Sequence, residues 1–279
     1  MTNRALYDKV AMRCSRLSTK AYSTSFSLGI LCLQKEFRDP IYALYGFVRF
    51  ADEIVDTFHE HNKQELLERF KQDTYRAIDE KISLNPILHS FQRTVNDFRI
   101  DRELIDCFLR SMEWDLTRKT YDQQGMKDYI LGSAEVVGLM CLRVFCNGSD
   151  EQYQKLKPHA MSLGSAFQKV NFLRDLKADY QMGRVYFPNL QLDALTEEGK
   201  KQIEADIRAD FDHALEGIKV LPRSVRFGVY VAYVYYVALF NKIINSSSDL
   251  ILNERVRIRN RHKMRLLAYS YVKHQLNRI

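Results

Sequence analysis

The sequence predicts an all-α fold in a single domain covering residues 1–279. Apolar residues repeat with the 3.6-residue period of a helix along most of the chain, and a sustained two-residue alternation is confined to residues 255–265. The 279 residues include only 11 glycines and 5 prolines, which favours long helices over tight turns. Apolar residues make up 46% of the chain, enough for a sizeable core, so a disordered protein is excluded.

Start signals place the helices along the chain. Asp39-Pro40 predicts an N-cap followed by proline at the first helical position, opening a strongly apolar helix that runs to about Thr57. Other helix starts are predicted at Asn62, Ser149 and Thr196, and further helices near residues 4–18, 101–119, 125–146, 223–246 and 262–277.

The formal net charge of +7 is concentrated at one end of the chain. Residues 249–279 contain two acidic side chains and eight basic ones, namely Arg255, Arg257, Arg259, Arg261, Lys263, Arg265, Lys273 and Arg278. The six cations from 255 to 265 alternate as in an extended strand, and we interpret them as a solvated surface. A basic nucleic-acid-binding protein is the competing hypothesis, and we expect no nucleic acid partner.

Cysteine usage and apolar runs predict a cytoplasmic location. The five cysteines form no CxxC pair, which is typical of core thiols in a reducing compartment and predicts no structural zinc. The first 20 residues lack the apolar stretch of a signal peptide. The longest apolar run, Val229 to Phe240, is too short to span a bilayer, and we expect no membrane anchor.

Carboxylate pairs with DxxxD spacing are the main chemical signal, because this spacing places two carboxylates one turn apart on one helix face. The pairs are Asp52/Asp56, Asp97/Asp101, Asp175/Asp179 and Asp206/Asp210. The second spans a probable helix break, with Asp101 as an N-cap. The fourth lies among many charges, and we interpret it as a solvated face.

Asp52/Asp56 and Asp175/Asp179 differ from the others because their helices are apolar and each carries an arginine. Buried carboxylates need cations from the protein, a metal or a ligand. An ion-pair network within the protein is one explanation. The other is two facing acidic walls that hold Mg²⁺ around a diphosphate, with arginines on its remaining oxygens, and these arginines are Arg49, Arg174 and Arg184.

Loss of an allylic diphosphate would leave a carbocation, which needs a dry pocket with electron-rich rings nearby. Aromatic residues on the predicted helices are usually core, so each is only a candidate for lining such a cavity. The candidates are Phe26, Tyr45, Phe47, Phe50, Phe172, Tyr235 and Tyr236.

The motifs resemble the squalene and phytoene synthase family over nearly the whole chain, in order. The segment from Tyr22 to Phe26 resembles an early Ser-rich segment of the family. Tyr45-x-x-x-Arg49-x-x-Asp52-Glu-x-x-Asp56 resembles its first aspartate-rich motif. Other matches are Met112-Glu-x-Asp115-Leu, Val137-Gly-Leu-Met140 and the long second motif Gln168-x-x-Asn171-x-x-Arg174-Asp175-x-x-x-Asp179-x-x-x-Gly183-Arg184-x-Tyr186-x-Pro188.

This resemblance implies an isoprenoid synthase helical bundle around a central cavity, and a prenyltransferase reaction. Two prenyl diphosphates would condense to a cyclopropylcarbinyl diphosphate, which ionises again and rearranges to a hydrocarbon. The implied ligands of Mg²⁺, or of Mn²⁺, are Asp52, Asp56, Asn171, Asp175 and Asp179. The implied catalytic residues also include Tyr45 and Arg49, and the implied substrate-binding residues are Ser23, Ser25, Phe26, Gln168, Arg174, Arg184, Tyr186 and Tyr236.

The chain departs from the family pattern at several positions. Thr24 stands where many members carry lysine, which removes one phosphate-binding charge. Ala134-Glu135 replaces a small Gly-Thr pair, and the carboxylate of Glu135 needs a partner that the sequence does not identify. The other departures are Ala178, in place of an acid, and Met182, in place of the first arginine of RGR.

The resemblance is greatest to phytoene formation from two geranylgeranyl diphosphates, for which no NADPH is expected. A C30 product, squalene or dehydrosqualene, made from farnesyl diphosphate is the alternative, and a non-catalytic assembly factor of the same fold is another. The hydrocarbon product must reach a membrane. A further hypothesis is therefore a peripheral contact of the basic C-terminal segment with anionic headgroups at the inner membrane face.

Overall fold

The computed structural model describes residues 2–187, 197–246 and 255–276. Within these ranges the regular secondary structure is helical, and the strand-like pairing is limited to a single parallel bridge between Thr120 and Val185. The predicted all-α class is confirmed.

The helices are named in chain order. They are α1 (Asn3–Tyr22), α2 (Thr24–Leu31), α3 (Lys35–Asp56), α4 (Lys63–Glu80), α5 (Pro86–Phe98), α6 (Arg102–Thr117), α7 (Gln123–Ile130), α8 (Val136–Cys146), α9 (Asp150–Gln181), α10 (Glu197–Val220), α11 (Arg223–Ile244) and α12 (Asn260–Gln275). The predicted caps Asn62 and Ser149 are confirmed, since each side chain accepts a hydrogen bond from the backbone of the following turn. The predicted start at Thr196 lies outside the described residues.

The start of α3 differs from the prediction. The helix begins at Lys35, so Pro40 lies inside it and Asp39 is not its N-cap. A proline this close to a helix start removes one backbone hydrogen bond, a loss that the long apolar helix tolerates. The carboxylate of Asp39 instead accepts a hydrogen bond from Arg16 Nε at 2.8 Å, which attaches α3 to α1.

The predicted helix over 125–146 contains a π-helical turn, Leu131–Glu135, between α7 and α8. Close approach of two other helices explains why small residues occur here. A Cβ on Gly132 would lie 2.9 Å from the Cys107 carbonyl oxygen on α6, and one on Gly164 of α9 would lie 2.8 Å from the Ala134 oxygen. The turn is therefore held between α6 and α9.

An aromatic cluster joins α3 to the helices behind it. Phe47 is fully buried and stacks on Phe91 of α5 with ring centroids 3.7 Å apart. Phe70 of α4 and Phe108 of α6 lie 5.5 Å from the same ring. Phe47 is thus a core residue, and its candidacy as a cavity-lining ring was wrong.

The basic C-terminal segment is extended only at its start. Residues 255–259 have no regular secondary structure and lead directly into α12, so the strand-like alternation predicted to residue 265 stops at 259. Val256 is buried, and Lys242 of α11 donates a hydrogen bond to the Arg257 carbonyl oxygen at 2.8 Å. These contacts hold the segment against the bundle.

Two described helical stretches are long and apolar enough to cross a membrane by length and composition alone. They are Gln123–Cys146 and Arg223–Ile244, and about half of the most apolar window of each is buried inside the protein, 50% and 44% respectively. Core helices of a bundle have the same composition, so these stretches are weak indications of a membrane span.

The aromatic cluster makes a stability prediction. Phe47→Ala should lower the free energy of unfolding by about 3–5 kcal/mol, because it empties a fully packed site. Phe50→Ala is the matched control, since Phe50 lies one turn along the same helix and is partly exposed. Urea unfolding followed by circular dichroism measures both, and equal losses in the two variants would contradict the assignment of Phe47 to the core.

Candidate functional site

The two acid pairs singled out in the sequence lie on helices that Arg184 links. Asp52 and Asp56 occupy the last turns of α3, and Asp175 and Asp179 those of α9. Arg184 follows α9 and donates a hydrogen bond from Nη1 to Asp56 Oδ1 of α3 at 2.7 Å. The side chains of Asp56 and Asp179 are close enough to repel each other electrostatically. One member of each pair therefore borders a shared acidic cleft.

A third acidic residue, Asp115 of α6, completes this cluster. Tyr129 donates a hydrogen bond to one of its carboxylate oxygens at 2.8 Å and Tyr186 to the other at 3.2 Å. Arg184 also donates to the Asp115 carbonyl oxygen at 3.3 Å. Asp115 belongs to a recognised motif, but sequence reasoning gave no site role to it or to Tyr129.

Three carboxylates of this cluster are harder to ionise than an isolated aspartate. Burial raises the pKa of Asp52 to about 7, and repulsion from Asp56 adds to the effect. Burial likewise raises the pKa of Asp115 and of Asp179 to about 7. Arg184, which contacts both walls of the cleft, offsets only part of this repulsion.

The arginines predicted to hold diphosphate currently pair with carboxylates. Arg49 donates to Glu53 and, at 3.3 Å, to Asp52, and its guanidinium lies 4.4 Å from the ring centre of Tyr22. Arg174 forms a two-pronged pair with the adjacent Asp175. Both guanidinium groups therefore lie at the edge of the acidic cleft.

The polar residues of the second motif form a short chain beside the acids. Tyr236 of α11 donates a hydrogen bond to Asn171 at 3.2 Å, and Asn171 donates to Gln168 at 3.4 Å. Tyr236 also hydrogen-bonds Arg174. This connects α11 to α9 at the level of the acidic pair.

The early Ser-rich segment borders the same region from α2. Ser23 caps α2 by accepting the Phe26 amide at 3.2 Å, and it also hydrogen-bonds Tyr45, whose pKa burial raises to about 12. The ring of Phe26 contacts those of Tyr45 and Tyr236, with centroids 5.8 and 5.9 Å apart. Ser25 lies partly buried in the first turn of α2.

The other candidate rings differ in their surroundings. Tyr186 is buried and stacks on Phe172 with centroids 4.2 Å apart, beside a small cavity that Asp179 and Arg184 also line. Tyr235 donates its hydroxyl to the Lys263 carbonyl oxygen at 2.9 Å, and Phe50 is partly exposed. Tyr45 and Tyr236 interact electrostatically with Asp52 and Asp175 respectively. Phe26 contacts both of these rings, and Phe172 contacts Tyr186.

Two cations of the C-terminal segment turn toward the cleft, which the interpretation as a solvated surface did not anticipate. Arg255 pairs with Asp175, with Nε 2.7 Å from Oδ1. Lys263 donates a hydrogen bond from Nζ to Thr24 Oγ1 at 2.8 Å. Thr24 is the position where the family pattern carries lysine, so a lysine from α12 brings an ammonium group to it.

The interpretation of Asp206/Asp210 as a solvated face holds for Asp206, whose side chain is 59% exposed, but is wrong for Asp210, which is 20% exposed. Both carboxylates accept hydrogen bonds from the buried Lys169 of α9, at 2.5 and 2.8 Å, and Asp210 also accepts one from Ser165. Lys169 is the nearby cation that favours ionisation of Glu135, whose pKa burial raises to about 7. This cluster joins α9, α10 and the π-helical turn.

Asp97/Asp101 lies at a helix break, as predicted. Helix α5 ends at Phe98, and Asp101 is at the N-cap position of α6, although its side chain makes no capping bond. Its carboxylate instead pairs with Arg143 at 2.8 Å. The pair is therefore structural.

The donor set of the acidic cleft suits a hard divalent cation. Carboxylate oxygens are the ligands that Mg²⁺ prefers, and it binds through one or two of them together with waters and substrate phosphates. Within the described residues, no three His, Cys, Asp or Glu side chains converge on one point. Each acid pair would hold such an ion together with oxygen donors from outside the protein.

Comparisons with known proteins agree with this geometry. A model of the squalene/phytoene synthase family matches residues 19–262. The chain is 27% identical over 258 residues to a phytoene synthase of Cereibacter sphaeroides, covering 82% of this chain and 70% of that protein. It is 28% identical over 198 residues to a 4,4'-diapophytoene synthase of Staphylococcus haemolyticus, covering 68% of this chain and 67% of that protein.

A solved structure of a dehydrosqualene synthase has the same fold. It superposes with a TM-score of 0.81 at 20% identity, covering 96% of this chain and 98% of that one. The family match spans most of the chain and includes both aspartate pairs. The chain therefore belongs to the squalene/phytoene synthase family, whose members are prenyltransferases that in general depend on divalent metals.

Proposed function

We propose that this enzyme joins two geranylgeranyl diphosphates head to head and forms phytoene through a cyclopropylcarbinyl diphosphate. The observation that carries the proposal is the cleft in which Arg184 pairs with Asp56 beside Asp179 and Asp115, and in which the pKa of Asp52 and of Asp179 is raised to about 7. Such a cleft suits a substrate that arrives with cations, as a diphosphate does. Retention of all four carboxylates argues against a non-catalytic assembly factor.

The proposed metal ligands are Asp52, Asp56, Asn171, Asp175 and Asp179, with Mg²⁺ as the ion and Mn²⁺ as an alternative. When bound, the metal would supply charge that favours loss of the diphosphate. Arg49, Arg174 and Arg184 would contact the remaining diphosphate oxygens. Arg184 already lies between the two walls, so it needs little movement to do so.

Arg255 and Lys263 extend this set of cations. Arg255 shares the Asp175 carboxylate with Arg174. With a diphosphate bound, the Arg255 guanidinium would contact its oxygens from this position. Lys263 lies at Thr24, next to Ser23 and Ser25, and would bind phosphate oxygens there.

The aromatic side chains would protect the carbocation that remains. Phe26, Tyr45, Tyr236 and Phe172 present electron-rich faces and exclude water from the region beside the acids. Tyr186, hydrogen-bonded to Asp115, would orient the wall behind Phe172. No reductive step, and hence no NADPH, is part of the proposal.

The C20 substrate is favoured by the relatives named phytoene synthase, in a bacterium and in plants. A C30 product from farnesyl diphosphate is the second candidate, because a relative of similar identity is named 4,4'-diapophytoene synthase. Both products would require the same residues around the diphosphate. Only the depth of the apolar pocket would separate them.

Separate incubation with C20 and C15 diphosphates, followed by mass analysis of the hydrocarbon, tests the proposal. We expect a C40 hydrocarbon from the C20 substrate with Mg²⁺, and none with EDTA. Asp52→Ala or Asp175→Ala should reduce turnover by about 10²-fold or more, because each removes charge that binds the metal and the leaving group.

Asp97→Ala is the matched control for these variants, since it removes an exposed carboxylate of a structural pair. It should retain wild-type turnover. A C30 product would replace the C20 assignment with the second candidate. Consumption of neither substrate by a folded protein, or full turnover in EDTA, would contradict the proposed enzyme.

The pKa of Asp52 predicts a stability effect that depends on pH. A half-buried carboxyl whose pKa rises to about 7 stabilises the folded state below its unfolded pKa, near 4, and loses that stabilisation as pH rises through 7. At pH 8 without divalent cations, Asp52→Asn should therefore unfold about 2–4 °C above wild type. At pH 5 the difference should shrink.

Thermal unfolding of wild type, Asp52→Asn and the control Asp97→Asn in EDTA at both pH values measures this effect. Addition of Mg²⁺ with inorganic diphosphate should then stabilise wild type more than Asp52→Asn. A difference that stays constant between pH 5 and pH 8 would show that the Asp52 carboxyl does not titrate in this range.

The contact between Lys263 and Thr24 predicts that a lysine at either position can supply the same ammonium group. Lys263→Ala should raise the KM for the prenyl diphosphate by about 10-fold or more through loss of a charge-assisted hydrogen bond, with less effect on kcat. Thr24→Lys in the same chain should restore the KM, because it returns an ammonium group to the same place. Lys9→Ala, at an exposed site on α1, is the control. Failure of Thr24→Lys to rescue would show that Lys263 acts only in packing α12.

A further inference from the structure

The outer face of α12 is both basic and apolar. Residues 255–276 contain seven Lys and Arg side chains and no Asp or Glu. Arg255 and Lys263 turn toward the cleft, whereas Arg261 and Arg265 are exposed. The segment therefore divides its cations between the interior and the solvent.

One stripe of α12 is exposed along its whole length. Its members follow one another at intervals of three or four positions, which places them on a single helix face, and they are Arg261, Arg265, Tyr269, Val272 and Leu276. Tyr269, Val272 and Leu276 are each more than half exposed, and so is Met264 beside the stripe. The opposite side of the helix packs on the bundle, with Ser270 fully buried. The stripe is thus not the packing face of α12.

We propose that this stripe docks on an anionic lipid surface. An exposed helix face that combines Arg with Tyr, Val and Leu suits a membrane interface, where anionic headgroups lie next to acyl chains. A second copy of the same face would bring like charges together, since the segment contains no carboxylate. A nucleic acid would use the arginines but leave the apolar residues in water.

The position of α12 connects this surface to the site. The same segment also places Arg255 against Asp175 and Lys263 against Thr24. A docked α12 would therefore hold the border of the diphosphate cleft next to the lipid. Release of a hydrocarbon product into that lipid rests on the proposed function. The docking itself rests only on the exposed stripe.

Flotation of the full chain with phosphatidylcholine vesicles, with and without 30% phosphatidylglycerol, tests the docking. We expect binding that requires the anionic lipid and weakens at high salt. Arg261→Gln with Arg265→Gln should lower the partition coefficient by about 30-fold, at the usual contribution of each cation near such a surface. Tyr269→Ser with Val272→Ser should also lower it.

Arg69→Gln with Arg76→Gln is the matched control, because it removes two exposed arginines from α4. It should bind vesicles like wild type. Equal binding by the control and the stripe variants, no binding by wild type, or tighter binding to duplex DNA than to anionic vesicles at the same salt would each overturn the proposal.

Turnover of detergent-dispersed substrate separates this result from the proposed function. None of the four substituted stripe residues contacts the acidic cleft, so the stripe variants should keep wild-type turnover while they lose vesicle binding. Vesicle binding by a chain that consumes no prenyl diphosphate would contradict the proposed reaction and leave the docking surface supported.

Discussion

Repulsion among partly buried carboxylates is the constraint on which the rest of the structure depends. Helices α3, α6 and α9 bring Asp56, Asp115 and Asp179 around one guanidinium, that of Arg184. Burial of like charges is unfavourable, so a rigid frame must hold them together. The aromatic cluster at Phe47 fixes α3 from behind, and the π-helical turn lies tightly between α6 and α9. The proposed binding of a diphosphate together with metal ions rests on this crowding of carboxylates around one guanidinium.

The sequence predicted the parts of this arrangement that depend on local pattern. Two acid pairs in apolar helices stand out because burial of a carboxylate is costly wherever the helix packs. Asp115 does not stand out, since one acid in an amphipathic helix is most often exposed. Its role depends on hydroxyl groups from Tyr129 and Tyr186, which are distant along the chain. Only the packing of the helices shows which acids share a cation.

The same reason explains the errors at other charged positions. Asp206/Asp210 looked solvated because its helix is rich in charge, yet the pair faces the buried Lys169 of the neighbouring helix. Asp39 looked like a cap because proline follows it, but its carboxylate accepts a hydrogen bond from Arg16 of α1. In both cases a residue on another helix decides the role of the acid. Periodicity within one helix carries no information about that partner.

The basic side chains from 255 to 265 in the C-terminal segment are evenly spaced in sequence, yet some contact the bundle and others face solvent. Burial of Val256 fixes the extended stretch, and this lets Arg255 reach Asp175. One turn into α12, Lys263 reaches Thr24. Both contacts compensate for charges that this chain otherwise lacks at the cleft, so they favour docking of α12 in this position. That position in turn exposes Arg261 and Arg265 beside Tyr269 and Val272. The inward cations therefore determine which face of the helix is left for a partner outside the bundle.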